Sequence, residues 1–260
     1  MVPTPVITCG MVHKLECAQE RKVTLPTLIN EEAAGDKAVE PKYACNSPSL
    51  MMIFEGGDLN CAMHHLVCSL QNPFEMNSVA TLLIQESVRE SFVNCVREQI
   101  QPLDAQLANH PRFVRTQAKL EELKAETIGG DPKTVPTNAT PLLVCDLTHS
   151  FLGNGPTGVI TMHTFRTPKE ATQVNKKETL KYSSVSIWNE KLASAYEICE
   201  LFDCSVFMLN CFNVDLNPIL PAFEANQNDV KIFKGYHYET LMTNHKRKII
   251  VFPVGTIFAN

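Results

Sequence analysis

Strands and helices alternate, with short links, through the second half of this 260-residue chain. The predicted elements are strands at 141–147, 158–165, 183–189 and 205–211 and helices at 168–177 and 190–203. Thr167 is suited to cap the first of these helices, and Pro168 suits its first position. Parallel strands need crossover helices, and the strands are largely apolar. The pattern therefore predicts an α/β fold with a parallel or mixed sheet and helices on both faces.

The first half of the chain is regular only from about residue 46. Its predicted elements are strands at 50–54, 79–85 and 126–128 and helices at 59–71, 89–101 and 111–125, with Asp58 as a cap. An apolar strand at 248–253 closes the chain. We divide the chain into an irregular N-terminal arm at 1–45, a main domain at 46–246, and a C-terminal pairing strand and tail at 247–260.

Composition limits the possible partners. The net charge is −5 and no basic stripe is present, so nucleic acid is not expected as a partner. No apolar run reaches the ~18 residues of a membrane helix, and the N-terminus lacks the apolar core of a signal peptide. We therefore expect a cytoplasmic protein without a membrane partner. The ten cysteines form no CxxC pair, and we expect them to be free, mostly buried thiols.

Several segments, in the correct order, resemble the catalytic domain of the aldehyde dehydrogenase superfamily. They are 47–60, similar to the family's "SPNIIFxDADLD"; 79–92, with the Gln-Glu ending of the strand after the nucleophile; 155–156, similar to the end of "EIFGP"; 184–199; 205–214; and 248–253. The likeness spans about residues 42–255. It implies an aldehyde dehydrogenase-like α/β domain whose C-terminal strand pairs between subunits.

The same resemblance implies that the family's chemistry is lost. The nucleophile position, in 70–78, reads Met76, and a thioether has no proton to lose. The general-base position reads Lys42, which is protonated at neutral pH. Leu152 and Asn154 occupy the cofactor-ribose Glu position and the neighbouring Phe position. The dinucleotide-binding domain has no counterpart and no Gly-rich nucleotide turn is found, so no cofactor is expected.

Other clusters of reactive residues favour structural roles. The set Cys61, His64, His65 and Cys68 shares one face of a predicted helix, but residues seven apart lie about 10 Å from each other, too far for both sulfurs to reach one zinc ion. We therefore predict no metal site. Cys199 and Cys204 have acidic neighbours, which disfavour a thiolate. Cys211 has no partner base nearby in sequence. Adjacency of Asp146, His149 and Ser150 does not make a hydrolytic triad, which needs a spatial arrangement.

We predict a catalytically inactive aldehyde dehydrogenase-like protein that acts as a structural or interaction subunit. It would form a homodimer or join a larger assembly. The pairing residues would be Lys248, Ile249, Ile250, Val251 and Phe252, which would add to a sheet in a neighbouring subunit. Two alternatives stay open. One is residual aldehyde or small-molecule binding in a remnant pocket near Met76, Lys42 and Cys211, and the other is regulation of a full-length aldehyde dehydrogenase through mixed oligomers.

Overall fold

A computed structural model describes residues 48–153 and 156–255. Ten strands lie in this part of the chain: β1 (Ser49–Ile53), β2 (Val79–Gln85), β3 (Thr127–Ile128), β4 (Leu143–Cys145), β5 (Ile160–Phe165), β6 (Val185–Trp188), β7 (Val206–Leu209), β8 (Asp229–Phe233), β9 (Tyr236–Thr243) and β10 (Lys246–Pro253). The helices are α1 (Leu59–Gln71), α2 (Glu86–Gln99), α3 (Ala105–Ala108), α4 (Pro111–Leu123), α5 (Pro168–Asn175), α6 (Leu192–Leu201) and α7 (Leu220–Glu224). Short 3-10 turns cover Thr137–Ala139 and His149–Phe151.

All ten strands form one sheet, in the order β3-β4-β5-β2-β1-β6-β7-β10-β9-β8. The seven strands from β4 to β10 in this order are parallel. Antiparallel strands lie outside them: β3 at one end, and β9 with β8 at the other. The predicted α/β fold, with a parallel or mixed sheet, is confirmed.

Local sequence signals explain where several helices begin. The Asp58 carboxylate accepts hydrogen bonds from two backbone N–H groups at the start of α1. The Thr167 hydroxyl accepts one from Glu170, and Pro168 holds the first position of α5. Both caps were predicted, and each contributes about 1 kcal/mol. Helix α2 begins at Glu86, directly after β2 and three residues before the predicted start.

Helices cover the sheet on both faces, as predicted. The alternate residues Met51 and Ile53 of β1 pack with α1 and α2, whereas Leu50 and Met52 pack with α5 and α6. All five residues of β1 are buried. Such a strand has no polar face, since both of its faces lie under helices. Helix α7 covers β7, β9 and β10, and α4 packs beside β4.

The C-terminal strand does not lie where the sequence led us to expect. Strand β10 is parallel to β7 on one side and antiparallel to β9 on the other, so residues 248–252 are not a free edge for a neighbouring subunit. Ile249, Ile250 and Val251 are fully buried. The expectation failed because strands β8 and β9 were not predicted, and they extend the sheet beyond β10.

Several of the residues singled out from the sequence lie outside the part of the chain that the structure describes. The N-terminal arm at 1–45, with Lys42, lies outside the described residues, as do Asn154 and the tail from 256. Within the part that is described, no helix is long and apolar enough to cross a membrane.

Candidate functional site

The loop between α1 and β2 holds the side chain at the predicted nucleophile position. Met76 is 62% exposed. The next residue, Asn77, has a φ of 61° and is held by side-chain contacts. Its amide donates to the Asn213 side chain at 3.1 Å, and it accepts from the Ser183 hydroxyl at 3.1 Å. The loop is therefore anchored at Asn77, while the Met76 thioether faces solvent and offers no acidic proton for catalysis.

A small cavity lies beside this loop, at the amino-terminal ends of β1 and β2. Its volume is about 30 Å³, and its lining residues are Pro48, Pro73, Glu75, Ser78, Val79, Ala80, His149, Pro156, Thr157, Gly158, Val159 and Leu180. Gly158 is required here because a Cβ would come within 2.9 Å of both Phe74 and Phe113. This volume holds about one water molecule and leaves no room for an aldehyde substrate.

His149, which lines this cavity, and His163 both contact one buried carboxylate, that of Glu178. His163 Nε2 lies 3.3 Å from Glu178 Oε1, and the His149 backbone N–H donates to the same carboxylate at 3.1 Å. Burial opposes the charge of Glu178, yet the hydrogen bond with His163 and the nearby His149 hold the pKa of this carboxyl below its usual value. The hydroxyl of the partly buried Tyr182 donates to Thr81 instead.

The His149 ring is buried and neutral. Its exposed fraction is 1%, and neither ring nitrogen has a hydrogen-bond partner among the described residues. Burial lowers the pKa of His149, although the Glu178 charge acts in the opposite direction. Ser150 hydrogen-bonds to Thr148, and Asp146 is exposed. The structure therefore does not assemble Asp146, His149 and Ser150 into a triad, in line with the sequence analysis.

Glu178 and His163 were not singled out from the sequence. They lie 15 residues apart, on a loop and on β5, and Glu178 reaches the His149 backbone across 29 residues. No spacing rule predicts such a contact, because it depends on how the loop after α5 packs over the sheet. The one signal was the ionisable side chain of His163 inside the mostly buried strand β5.

The Cys-His face of α1 does not form a metal site. His65 stacks on Trp188 and packs against Phe212, whereas Cys68 Sγ lies 3.8 Å from His64 Nε2. Partial burial and a hydrogen bond to Asp58 raise the pKa of Cys61 to about 11. Among the residues that the structure describes, no three His, Cys, Asp or Glu side chains are placed to hold a metal ion.

The remaining thiols singled out earlier are core residues. Cys199, Cys204 and Cys211 are all buried, and burial raises the pKa of each thiol, to about 11 for Cys204 and about 12 for Cys211. Cys211 Sγ donates to the Val251 carbonyl at 3.6 Å and does not line the cavity beside Met76. At neutral pH these thiols are protonated, and a protonated thiol is a poor nucleophile.

Lys248, expected at a subunit interface, points into the core instead. Its side chain is 2% exposed, and its ammonium donates to the carbonyl groups of Cys199 and Phe202, the latter at 2.9 Å. It thereby satisfies carbonyl groups at the C-terminal end of α6. Burial lowers the pKa of Lys248. Leu152, which the resemblance placed at a cofactor-ribose position, is half-buried and packs beside α4.

A larger cavity, of about 230 Å³, lies at the other end of the parallel strands. It sits at the carboxyl ends of β1, β2, β5 and β6. Strands β1 and β2 lead to helices on one face and β5 and β6 to helices on the other, so the cavity lies at a topological switch point. Its rim carries the ion pair between Arg166 Nε and Glu86, at 2.7 Å. Both of these side chains are mostly exposed.

This fold is the α/β fold of aldehyde dehydrogenase structures, in part. The betaine aldehyde dehydrogenase of Staphylococcus aureus matches with a TM-score of 0.51 at 13% identity, over 65% of this chain and 38% of that one. The indole-3-acetaldehyde dehydrogenase of P. syringae matches with a TM-score of 0.50 at 17% identity, over 65% of this chain and 39% of that one. The chain thus spans about two fifths of their length, and at these identities the likeness shows the fold alone.

The chain itself belongs to the family described as "Protein of unknown function (DUF1487)", whose model matches residues 44–258. A search of the curated proteins finds no significant match.

Proposed function

We propose that this protein is a non-catalytic member of the aldehyde dehydrogenase-like fold class that acts by binding another protein chain. The observation that carries the proposal is that an exposed thiol, a base and a substrate-sized cavity, which thiol chemistry would need together, are not found at one place in the described residues. Met76 faces solvent, the cavity beside it holds about one water, and the buried thiols of Cys199, Cys204 and Cys211 have raised pKa values. A thiolate, a base and a substrate-sized space do not meet anywhere in the described residues.

The sheet itself supports the binding half of the proposal. Strand β8 lies at the end of the sheet and pairs only with β9 among the described strands. Val230, Ile232 and Phe233 are 59%, 69% and 45% exposed on this strand. An edge strand with exposed apolar side chains, and with backbone groups that no neighbouring strand bonds, is a template for pairing with another chain. The interface is thus proposed at β8, since β10 is already paired on both sides.

A turnover assay tests the proposal. The purified chain is incubated with a panel of short aldehydes and NAD+ or NADP+, and separately with p-nitrophenyl acetate. We expect rates equal to those of the Met76→Ala variant and of buffer, because no nucleophile or hydride acceptor site is assembled. A saturable, aldehyde-dependent formation of NADH or NADPH by the wild-type chain contradicts the proposal, whether or not the variant retains it.

A further inference from the structure

The backbone of β8 presents defined groups to solvent. The chain turns from β8 into β9 through Lys234 and Gly235, whose φ values are 47° and 81°. Such a two-residue turn makes Phe233 and Tyr236 a hydrogen-bonded pair. Because bonding alternates along an antiparallel ladder, Lys231 and Asp229 also bond to β9, and Val230 and Ile232 point their N–H and C=O groups outward.

A hydrogen bond on the other side of β9, toward β10, agrees with this alternation. The Val254 N–H donates to the Gly235 carbonyl at 2.7 Å, which directs the odd-numbered backbone groups of β9 toward β10. The even-numbered groups of β9 therefore face β8, and they meet the odd-numbered residues of β8. Val230 and Ile232 are left as the outward-facing residues of the edge, with exposed side chains.

The charges on β8 select one way in which two such edges can pair. Asp229 and Lys231 lie on the same face of the strand, two residues apart. In an antiparallel pair centred on Val230, Asp229 lies opposite Lys231 of the partner subunit on both sides of the two-fold axis. Centring the pair on Lys231 brings like charges directly opposite, which is destabilising, and centring it on Ile232 sets Lys231 opposite an apolar Phe233.

We propose that two copies of this chain associate through β8, antiparallel and centred on Val230, to form one continuous sheet. The inference rests on the proposed function, because it names the partner as a second copy. In the single chain, Asp229 accepts the Val230 N–H at 2.9 Å and lies 3.4 Å from the Lys231 ammonium, which also donates to the Pro218 carbonyl. On association, the Asp229 carboxylate exchanges these contacts for Lys231 of the partner subunit, and the Val230 N–H donates across the two-fold axis.

The strand is short, with five residues. Interfaces much smaller than the ~1,200–2,000 Å² of stable complexes are weak, so we expect a dimer that dissociates on dilution. Sedimentation velocity over a range of concentrations measures it.

Charge reversal tests the register. Asp229→Lys alone places two lysines opposite each other, and Lys231→Asp alone places two aspartates opposite each other, on both sides of the axis. Each single variant should raise the dimer dissociation constant about tenfold or more. The double variant Asp229→Lys/Lys231→Asp restores both opposite-charge pairs and should return the constant to within about threefold of wild type. Circular dichroism of each variant confirms that the fold is kept.

A cysteine pair provides a second measurement. Val230 faces its own symmetry copy, at a Cα separation of about 5.5 Å that suits a disulfide. Val230→Cys should form a covalent dimer under mild oxidation, whereas Ile232→Cys, the matched control on the same edge, should not. The wild-type chain sets the background from the exposed thiols of Cys61 and Cys68.

A monomer at all concentrations, single variants that dimerise like wild type, or an equal yield from Val230→Cys and Ile232→Cys overturns the inference. None of these results bears on turnover, so a failed dimer leaves the non-catalytic assignment standing with a different partner. Aldehyde turnover contradicts that assignment but does not remove a dimer.

Discussion

No residue among Met76 and the buried cysteines combines the two properties of a catalytic thiol, which are accessibility and a reactive sulfur. Met76 has the accessibility that a nucleophile needs but not the chemistry, whereas Cys199, Cys204 and Cys211 have the sulfur but neither access nor a depressed pKa. Cysteine reactivity requires both thiolate character and exposure.

Restoring a thiol at residue 76 separates these two factors. Met76→Cys should react with iodoacetamide well before the native Cys211, because its side chain would be exposed and the Cys211 pKa is raised to about 12. Peptide mass mapping of the alkylated sites measures the order. The same variant should still produce no NADH from aldehydes, and a saturable rate from it would mean that the rest of an active site survives.

His149 should make the fold sensitive to mild acid. Its pKa is lowered by burial, so the unfolded chain binds a proton more readily than the folded chain does. Its contribution to stability is therefore complete above pH 6.5, the ordinary value, and is lost as the pH falls through the folded pKa. Each such proton changes the free energy of unfolding by at most about 1.4 kcal/mol per pH unit.

His149→Gln removes this titration. We expect a shallower fall in unfolding free energy between pH 7 and pH 5 than in wild type, measured by urea denaturation at each pH. His245→Asn is the matched control, because His245 is exposed and lies in a turn with positive φ, which Asn tolerates. Identical pH slopes in wild type and His149→Gln would show that the His149 imidazole is not titrated on unfolding.

Strand β10 is a core element and β8 is an edge element, although both contain isoleucine and other apolar residues. Ile250 on β10 is fully buried, whereas Ile232 on β8 is 69% exposed. Ile250→Ala should therefore lower the free energy of unfolding by about 2–5 kcal/mol. Ile232→Ala should change it by no more than about 0.5 kcal/mol.

The chain's one tryptophan, Trp188, is buried and reports unfolding through its fluorescence. Urea denaturation of both alanine variants should be run in dilute protein, so that association through β8 does not contribute. Equal losses of stability in the two variants would mean that β10 leaves the sheet or that β8 is covered in the isolated chain.

Across the width of the sheet, we expect unequal protection of the backbone amides from hydrogen exchange. Strands β1, β2 and β6 have a neighbour on each side and lie under helices on both faces, whereas β8 has a neighbour on one side. Exchange of central amides requires global opening, but edge amides exchange from local openings.

Hydrogen exchange mass spectrometry measures this gradient. Peptides from β1 and β2 should exchange slowest, and a peptide covering β8 should exchange orders of magnitude faster in dilute solution. Because the Val230 N–H donates across the two-fold axis in the proposed pair, the β8 peptide alone should gain protection as the protein concentration rises. Protection of β8 that does not depend on concentration would indicate that the edge is covered within one chain.

Sequence alone predicted the elements whose signals are local. The apolar run of β1, the Asp58 cap, and the Thr167 and Pro168 start of α5 each depend on residues a few positions apart, and the structure has them where they were predicted. The alternation of strands and helices then predicted the α/β class, since parallel strands need crossover helices. That residue 76 is a methionine, with no ionisable proton, is likewise a property of the sequence.

Only the tertiary structure decided what depends on distant contacts. The Lys234-Gly235 turn lacks the Asn-Gly or Asp-Gly signal of a hairpin, so β8 and β9 were missed and β10 was assigned to a free edge. Lys248 was counted among the pairing residues, yet it caps α6, nearly fifty positions away. Glu178 meets His163 and His149 through a loop. Periodicity records which residues are buried, but strand order and buried contacts depend on the packing of the whole chain.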